Sequence, residues 1–419
     1  MSPDRFLPLL CRIPLFPDES LLSYLHRVTS ANCYDYSTFT AICKDRLSAM
    51  GVSDILESPR HAETFDILSS LTGVEPRALA NASVNGFSQT IPLGKTGQNI
   101  RLSDGSLFGI LDWWIRRRYL RKGREAHFCP ACLREFPYHR SIWIPLDVTT
   151  CLKHECLLVD HCGFCEALVS VQDIVRGRCH QCGKNLGDIP SRSLHDKPFD
   201  LFAQGTLQIW WGISPQPSST TLWNLPAQPI SVLYRVFEGF KDCLIDKQQV
   251  EQHLGLASAL LDQHDLYAVA FGGLVNWPQG FYDLLKSYLH RKKIDGICFH
   301  PYFSRPGALI ATWLFGLWAH EEFEFVQEAF DKFLIENPAL FETTIWRQRI
   351  ETRQGFAEKF PYLSKHRASQ ILNMRHSTVE LLILFQEIDA YDRRSGQDVW
   401  VRREDVLEFR EARRRENPS

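Results

Sequence analysis

The apolar residues of this chain recur mostly at intervals of three and four, which is the period of an amphipathic α-helix. Asp18 can cap a first helix, and Ser37 starts a second one. The first helix carries its apolar face at Leu21, Leu22, Leu25 and Val28. These patterns predict a small N-terminal helical unit of the helix-turn-helix type.

A second helical region follows a segment rich in proline and serine at residues 213–230. Pro278 suits the first position of a helix, because its missing N–H would be unpaired there in any case. The apolar face after it consists of Phe281, Leu284, Leu285, Tyr288 and Leu289. Residues 308–320 and 321–335 predict two further helices, so we expect a helical domain after the linker.

The C-terminal segment has the spacing of a winged helix-turn-helix. Ser364 can cap a helix that ends at Leu372, Asn373 tolerates a left-handed turn, and residues 377–384 form a second helix. Strands at 390–391 and 399–401, joined by a basic tip, would form the wing before a closing helix.

In such a domain the second helix lies near base edges and the wing reaches phosphate or the minor groove. The candidate DNA contacts are therefore His376, Ser377, Thr378, Glu380, Arg393 and Arg394. The same pattern also occurs in units that only pack, which leaves the DNA role open.

The densest positive cluster precedes the middle of the chain, where a predicted helical face at Leu107, Ile110, Leu111 and Trp114 runs into basic residues. The cluster consists of Arg116, Arg117, Arg118, Arg121 and Lys122. It is either a solvated helix end whose cations suit the C-terminal dipole or a patch that contacts phosphate. Because the formal net charge is −2, any affinity for nucleic acid comes from local clusters of this kind.

The length of 419 residues and an apolar content of 44% favour several domains with real cores. We predict a mainly α, multidomain protein with four parts: an N-terminal helical unit (1–125), a cysteine-rich module (126–190), a helical domain with its linker (191–355) and a winged helix-turn-helix domain (356–419). The longest apolar run, residues 308–319, is too short to span a membrane, and we expect a cytoplasmic protein.

Four metal-binding hooks with identical two-residue gaps dominate the chemistry of the chain. They are Cys129-x-x-Cys132, Cys151-x-x-His154, Cys162-x-x-Cys165 and Cys179-x-x-Cys182. Tetrahedral zinc takes four such ligands, so two closed structural sites are expected, each without the open water position of a catalytic zinc. Residues 126–190 are therefore predicted to be a double zinc-ribbon module. Consecutive pairing and a cross-braced arrangement use the same eight ligands, and both stay open.

Other residues compete weakly for roles in this segment. Cys156 is an extra thiol, and His127, His161 and His180 are alternatives to His154. Buried thiols or disulfides are the structural alternative to metal, and the regular hooks make it improbable. A deaminase-like zinc enzyme is a third possibility, but its proline should precede Cys129, where Phe128 stands. We therefore expect two structural zinc ions and no enzymatic activity.

The segment from His127 to Leu133, the run Ser141-Ile142-Trp143 and the segment from Cys151 to Cys162 resemble the zinc-bearing part of the TniQ/TnsD family, the target-selection proteins of cut-and-paste transposition. Pro17 to Tyr24, with Arg27 and Asn32, is similar to the opening of that family. The resemblance covers roughly the first 190 residues, and the Trp277-Pro278 segment resembles longer TnsD-like members more loosely.

The resemblance implies a non-enzymatic adaptor that carries the eight zinc ligands named above. Such an adaptor binds a target signal, either attachment-site DNA or a CRISPR Cascade complex, and recruits the AAA+ ATPase TnsC. The expected partners are double-stranded DNA, TnsC and, in Cascade-linked members, Cascade, and a homodimer is left open. The predicted winged helix favours direct DNA binding. A zinc-stabilised transcription regulator that binds a specific DNA sequence is the alternative function.

Overall fold

The computed structural model describes residues 9–91, 97–121, 123, 125–212, 228–253, 262–289, 320–337, 362–388 and 400–416. Within them the chain is mainly helical, with fifteen α-helices and six short strands. It divides into two compact units, the first made of residues 1–222, 228–238 and 260–271 and the second of residues 223–227, 239–259 and 272–419. In the described ranges, no helix is both long enough and apolar enough to cross a membrane.

The first unit begins with four helices around one apolar core. They are α1 (Leu21–Ala31), α2 (Tyr36–Ala49), α3 (Ala62–Thr72) and α4 (Pro76–Ala82). The residue that caps α1 is Ser20, whose hydroxyl accepts from the Ser23 N–H, and the expected cap Asp18 instead accepts from the Tyr138 hydroxyl at 2.7 Å. Tyr24, Leu25 and Phe65 lie fully buried where these helices meet.

A β-hairpin occupies part of the segment for which a helix over 107–114 was expected. Strands β1 (Gln98–Arg101) and β2 (Leu107–Ile110) pair antiparallel, and α5 begins only at Trp113 and ends at Tyr119. Gly105 adopts the left-handed backbone of the connecting turn, at φ 82°. Phe108 and Ile110 are buried while Leu107 is exposed, so the period here is two. The helical prediction was wrong for residues 107–110 and is confirmed from Trp113 onwards.

The central module holds little regular structure. Its elements are α6 (Pro130–Glu135), β3 (Thr150–Cys151), β4 (Cys156–Leu157) and α7 (Val171–Arg176), with 3-10 turns at Ser141–Trp143 and Leu186–Asp188. Phe128, Trp143, Ile174 and Leu186 fill its core together with several cysteines. A hydrogen bond from the Ser20 N–H to the His139 carbonyl oxygen (2.9 Å) ties this module to the start of α1.

A buried carboxylate joins later helices to the central module within the first unit. Asp147 is 3% exposed and accepts hydrogen bonds from Trp211 Nε1 (2.8 Å) and the Tyr234 hydroxyl (2.9 Å). These donors lie just after α8 (Pro198–Trp210) and in the first part of α9 (Ile230–His253). Gln204 of α8 adds two bonds, one from the Thr149 N–H and one to the Asp147 carbonyl oxygen.

The second unit contains the rest of α9, the end of α10 (Gln263–Val275), α11 (Gln279–Leu289) and α12 (Glu324–Glu336). A 3-10 turn at Glu321–Phe323 precedes α12, and another, at Val84–Gln89, follows α4 in the first unit. The helix predicted after Pro278 is confirmed, and Trp277 stacks on Phe281 at 5.2 Å between ring centroids. Tyr282 contacts Phe333 of α12 at 5.3 Å. The helix expected over 308–320 lies almost wholly outside the described residues.

A small C-terminal core ends the second unit. Its elements are β5 (Tyr362–Ser364), α13 (Lys365–Leu372), α14 (His376–Leu384), β6 (Trp400–Arg402) and α15 (Arg403–Glu416). Ser364 caps α13, and Asn373 adopts the left-handed turn at φ 52°, as expected. The return strand pairs with β5, which the sequence did not predict, while the strand expected at 390–391 lies outside the described residues. The winged-helix assignment stays a prediction.

Candidate metal centres

The first hook pair brings three sulfurs and one imidazole nitrogen together. Cys132 Sγ lies 3.7 Å from Cys151 Sγ and 3.3 Å from His154 Nδ1. The same nitrogen lies 3.4 Å from Cys129 Sγ and 3.6 Å from Cys151 Sγ. All four donor atoms lie within 4.8 Å of one another, and the three cysteines are buried. The residues thus form one compact donor set.

The second hook pair forms a similar all-cysteine set. Cys162 Sγ lies 3.6 Å from Cys182 Sγ, and Cys165 Sγ lies 3.7 Å from Cys179 Sγ. These four sulfurs also lie within 4.8 Å of one another. The structure therefore groups the hooks consecutively in each set.

The distances between the donor atoms show whether each set can bind a metal ion or form disulfides. Zinc bonds of about 2.3 Å to sulfur and about 2.0–2.1 Å to nitrogen place tetrahedral ligands about 3.8 Å apart for two sulfurs and about 3.6 Å apart for sulfur and nitrogen. The observed separations of 3.3–3.7 Å fit those edges. A disulfide needs sulfurs about 2.0 Å apart, so these thiols are not bonded in pairs. Both sets can hold a tetrahedral, thiophilic ion.

Tight backbone turns place the ligands. Three hooks are followed directly by a residue with left-handed backbone, namely Glu155 (φ 46°), Glu166 (φ 61°) and Gly183 (φ 71°). In the last two hooks the N–H of that residue bonds back to the carbonyl oxygen of the first cysteine, at 2.8 and 2.9 Å. The first hook differs, because Cys129 is the N-cap of α6 with Pro130 at its first position.

A carboxylate orients the only histidine of the two sets. His154 Nε2 lies 3.2 Å from Glu135 Oε1, and the Lys153 ammonium group donates to the other oxygen of Glu135. With Nδ1 turned towards the sulfurs, the Nε2–H can donate to this carboxylate, which fixes the tautomer that binds metal. The sequence did not single out Glu135, although it stands on α6 three residues after Cys132.

The three competing histidines each pair with a carboxylate. His127 Nε2 lies 3.6 Å from Asp160 Oδ2, and His161 Nδ1 lies 2.6 Å from Asp160 Oδ1. These contacts, first that with His127, hold the pKa of Asp160 well below its usual range. His180 Nδ1 lies 2.9 Å from Asp173 Oδ2, in the capping box of α7. These three histidines therefore contact carboxylates of the module and belong to neither donor set.

Cys156 provides a fourth sulfur near the first set, which itself has three sulfurs and one nitrogen. Its Sγ lies 3.6 Å from Cys129 Sγ, and the residue is 5% exposed. Cys156 faces Cys151 across the β3–β4 pair, and it is outside the group of mutually close donors. The thiol can therefore donate an S–H bond to the Cys129 sulfur without completing the tetrahedron itself.

A third close group of donors, Asp200, His264 and Asp265, is engaged by protein cations and hydroxyls. His264 Nδ1 lies 2.9 Å from Thr149 Oγ1, and its Nε2 lies 3.2 Å from Asp200 Oδ2. Lys197 Nζ lies 3.5 Å from Asp200 Oδ2. With both ring nitrogens engaged, this group packs α8 against α10 and does not resemble a metal site.

The residues of the predicted basic cluster differ in their exposure to solvent and in their hydrogen bonds. Arg121 donates to the carbonyl oxygens of Trp143 (3.0 Å), Pro145 and Leu146 (2.9 Å), and burial lowers its pKa to about 10. Arg116 donates to Ser58 Oγ. Arg117 and Arg118 are exposed on α5, with Arg118 Nε 3.9 Å from Glu238, and Lys122 lies outside the described residues.

The candidate DNA contacts on α14 also differ in their exposure and in their contacts. His376 and Ser377 are exposed at its first turn, and Thr378 is half-buried. Glu380 lies 2.7 Å from Lys365 Nζ, and this hydrogen bond lowers the pKa of the carboxyl. Arg393 and Arg394 lie outside the described residues. Base reading by this helix stays a prediction.

Residues 10–158 match the model of the protein family TniQ. The match contains the whole first donor set and ends four residues before Cys162, so the second set lies beyond it. No curated protein matches the chain.

We predict that the purified chain binds two zinc ions through independent centres. Replacing Cys132 by serine should remove one ion, and replacing Cys165 by serine should remove the other, because each centre loses a ligand that serine does not replace well. Inductively coupled plasma mass spectrometry on the wild type and on both variants measures this. The control is Cys33→Ser, at an exposed cysteine outside both sets. Two ions retained in either ligand variant would contradict the assignment.

We predict that Cys156 strengthens the first centre without binding its ion. Cys156→Ala should keep two ions but release one to a competing chelator roughly tenfold faster, since the variant has no outer hydrogen bond to the ligand Cys129. Cys156→Ser keeps a hydroxyl donor and should lie between the alanine variant and the wild type. Release rates followed with a zinc-responsive dye test this. Loss of one full equivalent in the alanine variant would instead make Cys156 a ligand.

Proposed function

Because residues 10–158 place this chain in the TniQ family, we propose that it acts in transposition as a target-selection adaptor that performs no chemistry itself. The TniQ match is the observation that carries this proposal. On one side the adaptor binds target DNA or a Cascade complex, and on the other it recruits the AAA+ ATPase TnsC. We favour direct DNA binding.

The donor sets support a structural role for the metal. Each set offers four protein ligands, so a bound zinc ion has no remaining position for water and cannot activate it. Zinc would hold the loops of the central module in one arrangement. The surface that the loops present to a partner would then be rigid before binding, which reduces the ordering cost of recognition.

The DNA contacts that we propose come from exposed arginines of α5 and from the tip of the predicted wing. Arg117 is exposed on α5, and Arg118 is exposed with a long contact to Glu238. Arg121 is engaged with three carbonyl oxygens and is therefore outside the proposed interface. Arg393 and Arg394 are also proposed as DNA contacts, because the sequence places them at the tip of the predicted wing. Arginines at such positions bind phosphate and give affinity that falls with salt.

The test of the adaptor function is recruitment of the ATPase. The tagged chain should retain the TnsC-type ATPase of its own transposition system when ATP and target DNA or Cascade are present, because the adaptor presents the ATPase-binding surface. Co-purification and the stimulation of ATPase-dependent insertion measure this. The control is a chain whose first centre is disrupted by Cys132→Ser. A chain that binds DNA but never retains the ATPase would favour the transcription regulator.

The test of the DNA interface is the salt dependence of binding. Replacing Arg117, Arg393 and Arg394 by alanine should weaken binding and reduce the slope of log affinity against log salt by about one for each phosphate that is no longer neutralised. Fluorescence anisotropy at several salt concentrations provides the slope. Arg101→Ala is the matched control, because this exposed arginine donates to the carbonyl oxygen of Gly105. An unchanged slope would show that these arginines do not contact DNA phosphates.

A further inference from the structure

Two tryptophans and two arginines form one exposed face of α5. Each residue of an α-helix turns by about 100°, so Trp113, Arg117, Trp114 and Arg118 follow one another around the helix within an arc of about 140°. Ile115 lies outside this arc and is fully buried. Trp113 is 62% exposed and Trp114 is 45% exposed, and both arginines are exposed as well. We call these four residues the indole–arginine face.

The two indole rings are the unusual part of this face. Tryptophan is highly buried on average, because its ring has a large apolar surface. In the part of the chain that the structure describes, no aromatic ring stacks on Trp113 or Trp114. Tyr119 of the same helix differs, since it contacts Tyr234 at 6.2 Å between ring centroids and is 7% exposed. Two adjacent exposed indoles therefore indicate a surface that binds a further molecule.

The charge beside these rings is positive. Arg117 lies between the two indoles on the face, and it has no hydrogen bond or ion pair within the described ranges. Arg118 Nε lies 3.9 Å from Glu238, which is itself buried. Burial, followed by the positive charge of Arg60, lowers the pKa of Arg116. The exposed Arg60 thus adds a further positive charge next to α5.

The nearby carboxylates lie away from the face. Asp54 accepts hydrogen bonds from the N–H groups of Arg60 and His61 and from the Thr64 hydroxyl, at 2.7, 3.1 and 2.7 Å. Asp112 directly precedes α5, is half-buried and, at about 100° per residue, lies outside the arc of the face. The charge that the face presents to a ligand is therefore that of its arginines.

A ligand for this face must offer flat apolar rings and negative charge together. An unpaired nucleotide offers both, because its base has a π-face that stacks on aromatic side chains and its phosphate binds arginine. A DNA duplex hides those π-faces inside its base stack and presents base edges and phosphates. A protein would have to supply rings and carboxylates at matching points. The two indoles beside arginine therefore favour unpaired DNA.

We propose that the indole–arginine face binds a short single-stranded stretch of target DNA, whose bases stack on Trp113 and Trp114 while its phosphates contact Arg117 and Arg118. The inference rests on the proposed function, which already assigns DNA contacts to the two arginines. The new element is a preference for DNA whose bases are unpaired. The face reads no sequence, because every base has a π-face.

The test measures binding of the full-length chain to three DNA ligands by fluorescence anisotropy. The ligands are a single strand, the matching duplex and a strand of equal length with abasic sites in place of bases. The wild type should bind the single strand more tightly than the abasic strand. Trp113→Ala with Trp114→Ala should weaken single-strand binding by roughly five- to 150-fold for each lost stack and leave abasic binding unchanged. Phenylalanine at both positions keeps the rings and should restore most of the affinity.

The salt dependence separates stacking from charge. The double alanine variant should keep the wild-type slope of log affinity against log salt, whereas Arg117→Ala should reduce the slope for a single strand by about 0.7. Tyr34→Ala is the matched control, because this aromatic residue between α1 and α2 is 44% exposed, close to the 45% of Trp114. Circular dichroism and thermal melting check that each variant is folded.

Three outcomes would overturn the proposal. Equal binding of the single and abasic strands, or alanine variants that bind the single strand as the wild type does, would exclude stacking, while retained duplex binding would leave the proposed function intact. A chain that binds none of the three ligands would also remove the DNA contacts of the proposed function. Alanine variants that bind DNA normally but fail to retain the ATPase would assign the face to a protein partner.

Discussion

The central module has too little hydrogen-bonded secondary structure to be stable by it alone, and its two donor sets can supply the missing constraint by binding metal. Its paired strands β3 and β4 have two residues each, and helices α6 and α7 have six residues each. Elements this short are not stable by themselves. A structural zinc ion contributes roughly 10–16 kcal/mol of apparent binding free energy in small zinc domains. Two such ions would replace the stability that longer strands and helices provide elsewhere.

The buried carboxylate of Asp147 extends this constraint beyond the loops. Hydrogen bonds from Trp211 and Tyr234 satisfy its charge, and those residues come from chain segments far from the hooks. Asp147 stands four residues before Cys151, so helices α8 and α9 help to position the first donor set. The bond from Tyr234 explains why residues 228–238 fold into the same unit as the first donor set, and the contact of His264 Nδ1 with Thr149 Oγ1 (2.9 Å) does the same for the first part of α10.

The sequence predicted the features that depend on neighbouring residues, and it did not predict those that depend on burial in the fold. The hooks are visible because ligand type and two-residue spacing are properties of a short segment, and the TniQ resemblance built on them is confirmed over residues 10–158. The hairpin at Leu107 was missed because Leu107, Ile110, Leu111 and Trp114 follow helical spacing, and only the Asp104-Gly105 turn signals a strand pair. Arg121 looked like its neighbours, since nothing local reveals that three carbonyl oxygens surround its guanidinium group.

The C-terminal core illustrates why a pattern of helices is weaker evidence for function than the chemistry of one helix face. The cap at Ser364, the turn at Asn373 and the two helices agree with the expected spacing. That spacing, however, only requires the inward residues of α14 to pack, and it leaves the outward residues unconstrained. Glu380 is bound to Lys365 within the domain. Leu381, Leu384 and Phe385 are exposed. Burial of their surface against another apolar surface gains about 25 cal/mol per Å², whereas burial against phosphate leaves the phosphate charge unpaired.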